Sequence, residues 1–360
     1  MPIINHEQRG KSCCKCRSDS FFYCKLHIRN RAVGSSSSRP QRLSAQILSK
    51  STTRSSDCMI ECGGTAQLRA GSTYFIEGIE LKDNKPSNTA LGASVIRTVH
   101  QLMDDRPLIL EDPISPLLLS TDALEEIKRN PALYQTRQAR GLRSHIVLRS
   151  RYAEDELHHA VESGITQLIN LGAGFDTFSC RQPDWARRLQ ILEVDHPASQ
   201  EAKVKHFHRQ GLTFSENVEF LPLDLEKKEL SEALNLSTLN LKKPVFVFCL
   251  GVLAYLRQDT VERTFRSISN MSHGTMFVVA FAPRGFADGN EEASETAQRA
   301  ESHGEPWLTY FERDELESLF LRSGFTKVDF LSSTKAAEVY YRGRKDLPSP
   351  RKTRLCTGVV

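Results

Sequence analysis

The segment LINLGAGFDTFSC (168–180) is an apolar run that ends in two glycines separated by a single residue. A short apolar run that stops at glycine is typical of a buried strand, which we place at 165–171. Gly172 and Gly174 carry no Cβ, so the backbone of the turn can approach a ligand where any other side chain would collide with it. The segment therefore predicts a strand that leads into a nucleotide-type binding turn.

Apolar runs alternate with helical patterns after this turn. Further strands are predicted at 189–195, 218–225, 244–253 and 275–283, with helices between them at 196–210, 226–237 and 258–270. A helix at 312–323 and two last strands, at 325–333 and 354–360, complete the pattern. Uninterrupted apolar strands that alternate with helices favour a parallel sheet covered on both faces. We therefore predict an α/β fold with a doubly wound, mostly parallel sheet of seven strands.

The residues before the turn also predict helices. Apolar residues recur at helical spacing over 88–105, a proline-rich stretch follows, and 148–164 has the pattern of a helix that ends at Gly164. We expect the segment 88–119 to form a helical lid over the ligand site. Residues 79–360 are then expected to form one domain.

The first 78 residues differ in composition from the rest of the chain. They are rich in Ser, Arg and Cys, and the first 60 carry eleven basic residues against three acidic ones, a local charge of +8. Because the whole chain carries +4, the remainder carries −4. We predict a disordered basic tail over 1–78. We expect a cytoplasmic protein. Because the same composition is found in organellar transit peptides, targeting to an organelle by the tail stays open.

The sequence disfavours three classes of partner. The positive charge lies in the tail rather than in the body, which argues against a nucleic-acid-binding domain. No apolar run approaches the roughly 18–20 residues needed to cross a bilayer. Six of the nine cysteines lie in the first 62 residues, but the second half of a regular Cys₂His₂ or Cys₄ pattern is missing. We therefore expect no nucleic acid, no membrane and no metal, and the oligomeric state stays undetermined.

Acidic residues follow the second and third predicted strands. Asp195 lies 21 residues after Gly174, where an acid can bind both hydroxyls of a ribose. Asp224, with Leu225 beside it, is placed to bind an adenine. Each aspartate also has a simpler interpretation, as the N-cap of the helix predicted to follow it, and both interpretations stay open at this point.

The turn indicates what the rest of the ligand carries. Thr177 replaces the third glycine of a dinucleotide fingerprint, and Asp176 places a negative charge where a pyrophosphate would lie. The turn therefore suits a cationic or zwitterionic group better than a diphosphate. Ribose, adenine and a zwitterionic tail together describe S-adenosylmethionine, with Arg149 or Arg151 as the candidate partner of its carboxylate.

Several longer stretches identify a family. They are NTALGASVIRTVH (88–100), LRSRYAEDEL (148–157), LINLGAGFDTFSCR (168–181), EVDHPASQEAK (193–203) and LPLDLEK (221–227). In these the chain resembles the leucine carboxyl methyltransferase family, and most of all its O-methyltransferases of polyketide and other secondary metabolism. The resemblance implies a class I methyltransferase fold and S-adenosylmethionine as cofactor. It implies that Arg149 binds the methionine carboxylate, Gly172 and Gly174 pass along the methionine and ribose, Asp195 binds the ribose hydroxyls, and Asp224 and Leu225 hold the adenine.

One position departs from the pattern of that family. Its members usually have Glu at the end of the fourth strand, where this chain has Leu250, within CLGVLAYL (249–256). In the family this acid helps to hold the cofactor. The resemblance therefore implies a site in which the acid is compensated elsewhere, or a relative that keeps the fold without turnover.

The expected reaction is methyl transfer to a carboxylate or hydroxyl of a small molecule. A carboxylate acceptor needs no base, whereas a phenol benefits from one, and Tyr255 is the candidate for that catalytic role. Arg284 and Trp307 are candidates for the wall of the acceptor pocket. Two alternatives remain, carboxyl methylation of a protein C-terminus and a non-catalytic relative. A dehydrogenase is disfavoured by Asp176 and Thr177.

Overall fold

The computed structural model describes residues 87–286, 291–302 and 304–360. The predicted tail, 1–78, and the six cysteines in it lie outside the described residues, so the interpretation of that segment stays a prediction. Within the described part, no helix is both long enough and apolar enough to cross a bilayer.

A single seven-stranded sheet forms the centre of the described part. Its strands are β1 (Gln167–Leu171), β2 (Gln190–Asp195), β3 (Val218–Pro222), β4 (Phe246–Leu250), β5 (Met276–Ala280), β6 (Lys327–Phe330) and β7 (Leu355–Val359). They lie in the order β3-β2-β1-β4-β5-β7-β6, and only the pairs that include β7 are antiparallel. All seven predicted strands are present. The predicted doubly wound, mostly parallel sheet of the class I methyltransferase type is confirmed.

Helices cover the sheet and connect its strands. In the described part they are α1 (Asn88–Met103), α2 (Thr121–Arg129), α3 (Pro131–Tyr134), α4 (Arg137–Glu162), α5 (Phe178–Arg181), α6 (Pro197–Arg209), α7 (Leu230–Leu234), α8 (Gln258–Ser269), α9 (Glu291–Ser302), α10 (Arg313–Ser323) and α11 (Ser333–Tyr340). One core cluster packs α4 against the sheet, with Val147 and Phe246 among its members. The other packs α8 and α10 against the opposite face through Phe265 and Phe320. The strands are apolar throughout because both faces of the sheet are covered.

Two helices differ from their predicted extent, each because of a local hydrogen bond. The helix predicted at 148–164 begins at Arg137, since the Thr136 hydroxyl accepts a hydrogen bond from the Ala139 N–H at 3.1 Å and caps an earlier start. The helix predicted at 226–237 shrinks to α7. There the Asp224 carboxylate accepts the Glu226 N–H at 3.0 Å, which forms a turn in place of a first helical turn.

The order of the strands reverses beside β1, which pairs with β2 on one side and with β4 on the other. Connections leave in opposite directions at such a point, and a crevice opens beyond the carboxyl ends of the strands. The glycine turn follows β1 and therefore lies at this crevice. The fold thus places the ends of β1, β2, β3 and β4 along one edge, where ligands of open α/β sheets bind.

Candidate functional site

The glycine turn after β1 has no room for side chains. Gly172 and Gly174 have φ angles of 70° and 46°, in the left-handed region that favours glycine. A Cβ on Gly172 would overlap the side chain of Val252, and a Cβ on Gly174 would lie 2.9 Å from the Cβ of Ala90 in α1. The Gly172 N–H also donates to the Val194 carbonyl at 2.7 Å. The turn is therefore clamped between β2, the segment after β4 and the first helix.

Substituting Gly172 with alanine is expected to destabilise the chain by about 1–3 kcal/mol, because the new Cβ meets a β-branched side chain and the backbone stays in the left-handed region. Gly92→Ala is the matched control. Gly92 lies inside α1 with no atom within 4 Å of its would-be Cβ, so alanine is expected to be neutral or mildly stabilising there. Urea denaturation of both variants tests this, and equal midpoints would contradict it.

Asp195 closes the turn from the end of β2. Its Oδ2 accepts a hydrogen bond from the Gly174 N–H at 2.6 Å, and its Oδ1 accepts one from the His196 N–H at 2.7 Å. Burial raises the pKa of Asp195, although both backbone hydrogen bonds act to lower it. The N-cap of α6 is His196, whose Nδ1 accepts from the Ala198 N–H. The interpretation of Asp195 as the cap of this helix is therefore wrong, and its carboxylate faces the turn.

Asp224 follows β3 and lies next to Asp195, since Asp195 pairs with Pro222 across the two strands. Burial acts to raise the pKa of Asp224, but hydrogen bonds from Lys227 and the Glu226 N–H outweigh it, so the pKa is lowered. No α-helix begins at Glu226, so the helix-cap interpretation of Asp224 is also wrong.

Leu225 follows Asp224 directly and is half-buried. It packs against the core cluster of α8 and α10. Two carboxylates, Asp195 and Asp224, and one apolar side chain therefore lie along the ends of β2 and β3, as the sequence predicted.

Arg149 is the candidate that faces the crevice. Its guanidinium lies against Gly251, where any Cβ would overlap it, and Gly251 has a φ of 77°. Within the described chain, the guanidinium makes no ion pair and donates no hydrogen bond. Arg151, two residues on, is exposed and forms an ion pair with Asp155 at 2.9 Å. The alternative left open by the sequence is thus narrowed to Arg149.

The environment of Arg149 is unusual for a cation. Burial, followed by repulsion from Arg97, lowers the pKa of Arg149 to about 10, so the group stays charged at neutral pH. Tyr255 and Asp176 act in the opposite direction, which places both near the guanidinium. A half-buried cation without a partner is costly, so the position is suited to an anionic group of a ligand.

The segment after β4 contributes two residues that the sequence analysis missed, Gly251 and Val252. Gly251 makes room for Arg149, and Val252 packs where a side chain on Gly172 would lie. The one available signal was a glycine directly after the fourth apolar run. Leu250, at the end of β4, is half-buried and packs against the α4 core cluster. At the position where the family usually has an acidic residue, this chain therefore has an apolar side chain that packs against the core.

Aromatic side chains from the segment after β4 and from the segment around Trp307 lie next to one another. Tyr255 is perpendicular to Trp307, with ring centroids 6.4 Å apart, and Trp307 lies 6.2 Å from Tyr310. The Leu308 N–H donates to the Ala254 carbonyl at 2.6 Å and holds this segment on the turn of Tyr255. Arg284, predicted to line the same pocket, is half exposed and pairs with Glu315 of α10 at 2.7 Å, and its role at the acceptor stays a prediction.

The predicted lid, 88–119, is docked on the glycine turn. Arg97 of α1 donates to the Phe175 carbonyl at 2.6 Å and pairs with Asp112 at 2.9 Å. At the start of α1, the Glu305 carboxylate accepts hydrogen bonds from the Ser87 hydroxyl at 2.9 Å and from the Thr89 N–H at 3.3 Å. The first helix and the segment that carries Trp307 are therefore joined to each other, with α1 packed on the turn.

Comparison with known proteins gives a consistent result. A family model described as leucine carboxyl methyltransferase matches residues 90–269, from α1 to the end of α8. A Bacillus subtilis protein named "Putative S-adenosyl-L-methionine-dependent methyltransferase YktD" is 28% identical over 291 residues, which are 74% of this chain and 95% of that protein. A Mycobacterium tuberculosis protein with the same description, Rv1729c, is 30% identical over 150 residues, 41% of this chain and 47% of its own length.

Two solved structures are also similar. The structure of a protein from Thermobifida fusca, named as a putative methyltransferase, is 17% identical. It has a TM-score of 0.47 and covers 77% of this chain and 95% of its own. A DUF574 family protein from Streptomyces avermitilis is 15% identical with a TM-score of 0.46, over 74% of this chain and 95% of that one.

Proposed function

The chain belongs to the leucine carboxyl methyltransferase family, and on that basis we propose that it transfers a methyl group from S-adenosylmethionine to an oxygen of a small-molecule acceptor, either a carboxylate or a hydroxyl. The family and the named relatives support the general activity, that of an S-adenosylmethionine-dependent methyltransferase. The acceptor and the oxygen that is methylated are the proposal.

The observation that carries the proposal is the arrangement of Arg149 beside a turn that excludes side chains. A half-buried guanidinium without a partner in the described chain fits the carboxylate of the cofactor. The backbone of Gly172 and Gly174 would lie alongside its methionine and ribose. Asp195 would hold the ribose hydroxyls, and the adenine would lie at Asp224 and Leu225. The residues present therefore fit the cofactor.

The cofactor, when bound, supplies a methyl group on a positively charged sulfur. Methyl transfer from such a sulfur is an in-line displacement, so the main task of the protein is to align the two partners and exclude water. The docked α1 covers the turn, which excludes water from that side. Tyr255 and Trp307, next to Arg149, would form the wall on the acceptor side.

The link between Glu305 and the start of α1 favours a small acceptor. It joins the lid to the segment of Trp307, and a joined pair of segments would leave a narrower approach to the crevice than two separate ones. A protein C-terminus would need an open, peptide-sized entrance. For this reason we prefer a small molecule to the C-terminus of a protein as the acceptor.

A direct assay tests the proposal. The full chain is incubated with methyl-labelled S-adenosylmethionine and a panel of small carboxylic acids, phenols and peptides with a free C-terminus, and labelled products are detected by mass spectrometry. Label on small acids or phenols supports it. Label on peptides alone would favour carboxyl methylation of a protein. Cofactor binding without any product would favour the non-catalytic relative, for which Leu250 is the structural reason.

Replacing Tyr255 by phenylalanine separates the two acceptor classes. With a phenolic acceptor, loss of the hydroxyl is expected to lower kcat by roughly 100-fold, because the phenol loses its base. With a carboxylic acid acceptor, kcat is expected to stay within about twofold, since no proton has to be removed. Cofactor affinity serves as the control and should not change. An unchanged rate with phenols would remove Tyr255 from the reaction.

A further inference from the structure

The buried charges around the glycine turn are almost all paired with one another. Lys203 of α6 lies 2.6 Å from Glu193 of β2, and both side chains are 1% exposed. Arg97 pairs with Asp112 at 2.9 Å. A further pair joins Arg181 to Glu154. Pairing of this kind is the rule for charges removed from water.

Arg149, Asp176 and Asp195 stay outside these pairs; Asp195 accepts the Gly174 and His196 N–H groups and is proposed to bind the ribose, which leaves Arg149 and Asp176. Neither forms an ion pair within the described chain, with each other or with any other residue. The Oδ1 of Asp176 accepts from the Phe178 N–H at 2.9 Å and from Asn170 at 3.4 Å. Its Oδ2 accepts no hydrogen bond from the residues that the structure describes. Apart from Asp195, the site therefore holds one unpaired cation and one unpaired anion, which interact electrostatically without forming an ion pair.

Both groups are charged at neutral pH and are partly accessible. Burial acts to raise the pKa of Asp176, but the positive charges of Arg97, Arg181 and Lys203 outweigh it, so the pKa is lowered. Arg149 keeps a pKa of about 10. Each side chain is half-buried, so a ligand in the crevice can reach it.

The nearby strand end does not supply another acid. Leu250 ends β4 on the side that packs against α4, and Gly251 follows it against Arg149. A free amino-acid group carries one carboxylate and one ammonium a few bonds apart. The separated pair of Arg149 and Asp176 has the complementary charges.

We infer that Asp176 binds the α-ammonium group of S-adenosylmethionine while Arg149 binds its carboxylate, an assignment that rests on the proposed function. In this arrangement the acid of the glycine turn takes over the contact that the apolar Leu250 cannot make. The negative charge that disfavours a diphosphate at this turn thus selects the amino-acid end of the cofactor.

The test is calorimetric binding by the full chain and by Asp176→Asn. Asparagine keeps an oxygen for the Phe178 N–H, so the turn is expected to stay intact, as thermal denaturation will show. Affinity for S-adenosylhomocysteine is expected to fall roughly 10- to 100-fold, the loss of one charged hydrogen bond. Affinity for 5′-methylthioadenosine, which lacks the amino-acid group, is expected to stay within about twofold. Arg149→Gln is expected to show the same pattern.

The controls separate this inference from the proposed function. Asp184→Asn, at a side chain that is 95% exposed, removes one negative charge near the turn in sequence and should bind as the wild type does. Unchanged affinity of Asp176→Asn for S-adenosylhomocysteine overturns the inference alone. An equal loss of affinity for methylthioadenosine also overturns it. So does a loss of affinity for S-adenosylmethionine only, because that result would place Asp176 at the sulfonium. A folded wild-type chain that binds none of these ligands overturns the proposed function as well.

Discussion

Asp195→Ala is expected to abolish measurable binding of S-adenosylmethionine and S-adenosylhomocysteine, a loss of at least roughly 100-fold. The carboxylate accepts the Gly174 N–H at 2.6 Å and the His196 N–H at 2.7 Å, and it is the acid that we propose to bind the ribose. Charged hydrogen bonds contribute about 1.5–3 kcal/mol each, so losing those to the ribose and those that shape the turn is sufficient for this loss. Calorimetric titration of the full chain measures it.

Two companion variants show which contact matters. Asp195→Asn keeps an oxygen for the Gly174 N–H but loses the charge, so it is expected to bind more weakly than the wild type and more tightly than Asp195→Ala. Asp184→Ala removes an exposed carboxylate and should change nothing. Wild-type affinity of Asp195→Ala would show that the ribose lies elsewhere.

Asp112→Ala is expected to give the largest loss of stability, about 3–5 kcal/mol in the free energy of unfolding. Asp112 is fully buried and pairs with Arg97, which is 4% exposed. It also accepts the Ser115 N–H at 3.0 Å. Removing the carboxylate leaves a buried guanidinium without its partner, and this costs more than the pair itself contributes. The urea midpoint measures the change, provided that the slope of the transition stays constant.

Asp259→Ala is the matched control for this prediction. Asp259 pairs with Arg263 at 2.6 Å, but its side chain is 62% exposed, so water replaces the lost contact and little change is expected. Asp112→Ala should also weaken cofactor binding, because Arg97 holds the Phe175 carbonyl within the glycine turn. Equal stability of the two variants would show that the buried pair contributes no more to stability than an exposed one.

Much of the fold was predictable because its signals are local. The apolar runs of β1, β2 and β4 read as strands without interruption, since a sheet covered on both faces needs no polar alternation. The glycine turn and the acids after β2 and β3 were predictable for the same reason, because each is set by its position at a strand end. The helix boundaries were less predictable. Thr136 starts α4 early, and Asp224 forms a turn that shortens α7.

Other features depended on contacts between segments that are distant in the sequence. Arg284 pairs with Glu315, a partner that no local pattern reveals. Gly251 and Val252 were missed because their role is to fit against Arg149 and Gly172, which lie far away along the chain. The lid was expected from its helical pattern, but the hydrogen bond from Arg97 to the Phe175 carbonyl, which docks it on the turn, is visible only in the structure.

The sequence by itself determined the α/β sheet, the binding turn and the family, because strand, turn and spacing signals act within a few residues. The tertiary structure decided which charged groups face the ligand. Arg149 and Arg151 are two residues apart on one helix and point in different directions, so only the packing of α4 against the sheet sets Arg149 beside the turn. Likewise, only folding pairs Arg97 with Asp112 and Lys203 with Glu193 and leaves Asp176 without an ion pair within the described chain.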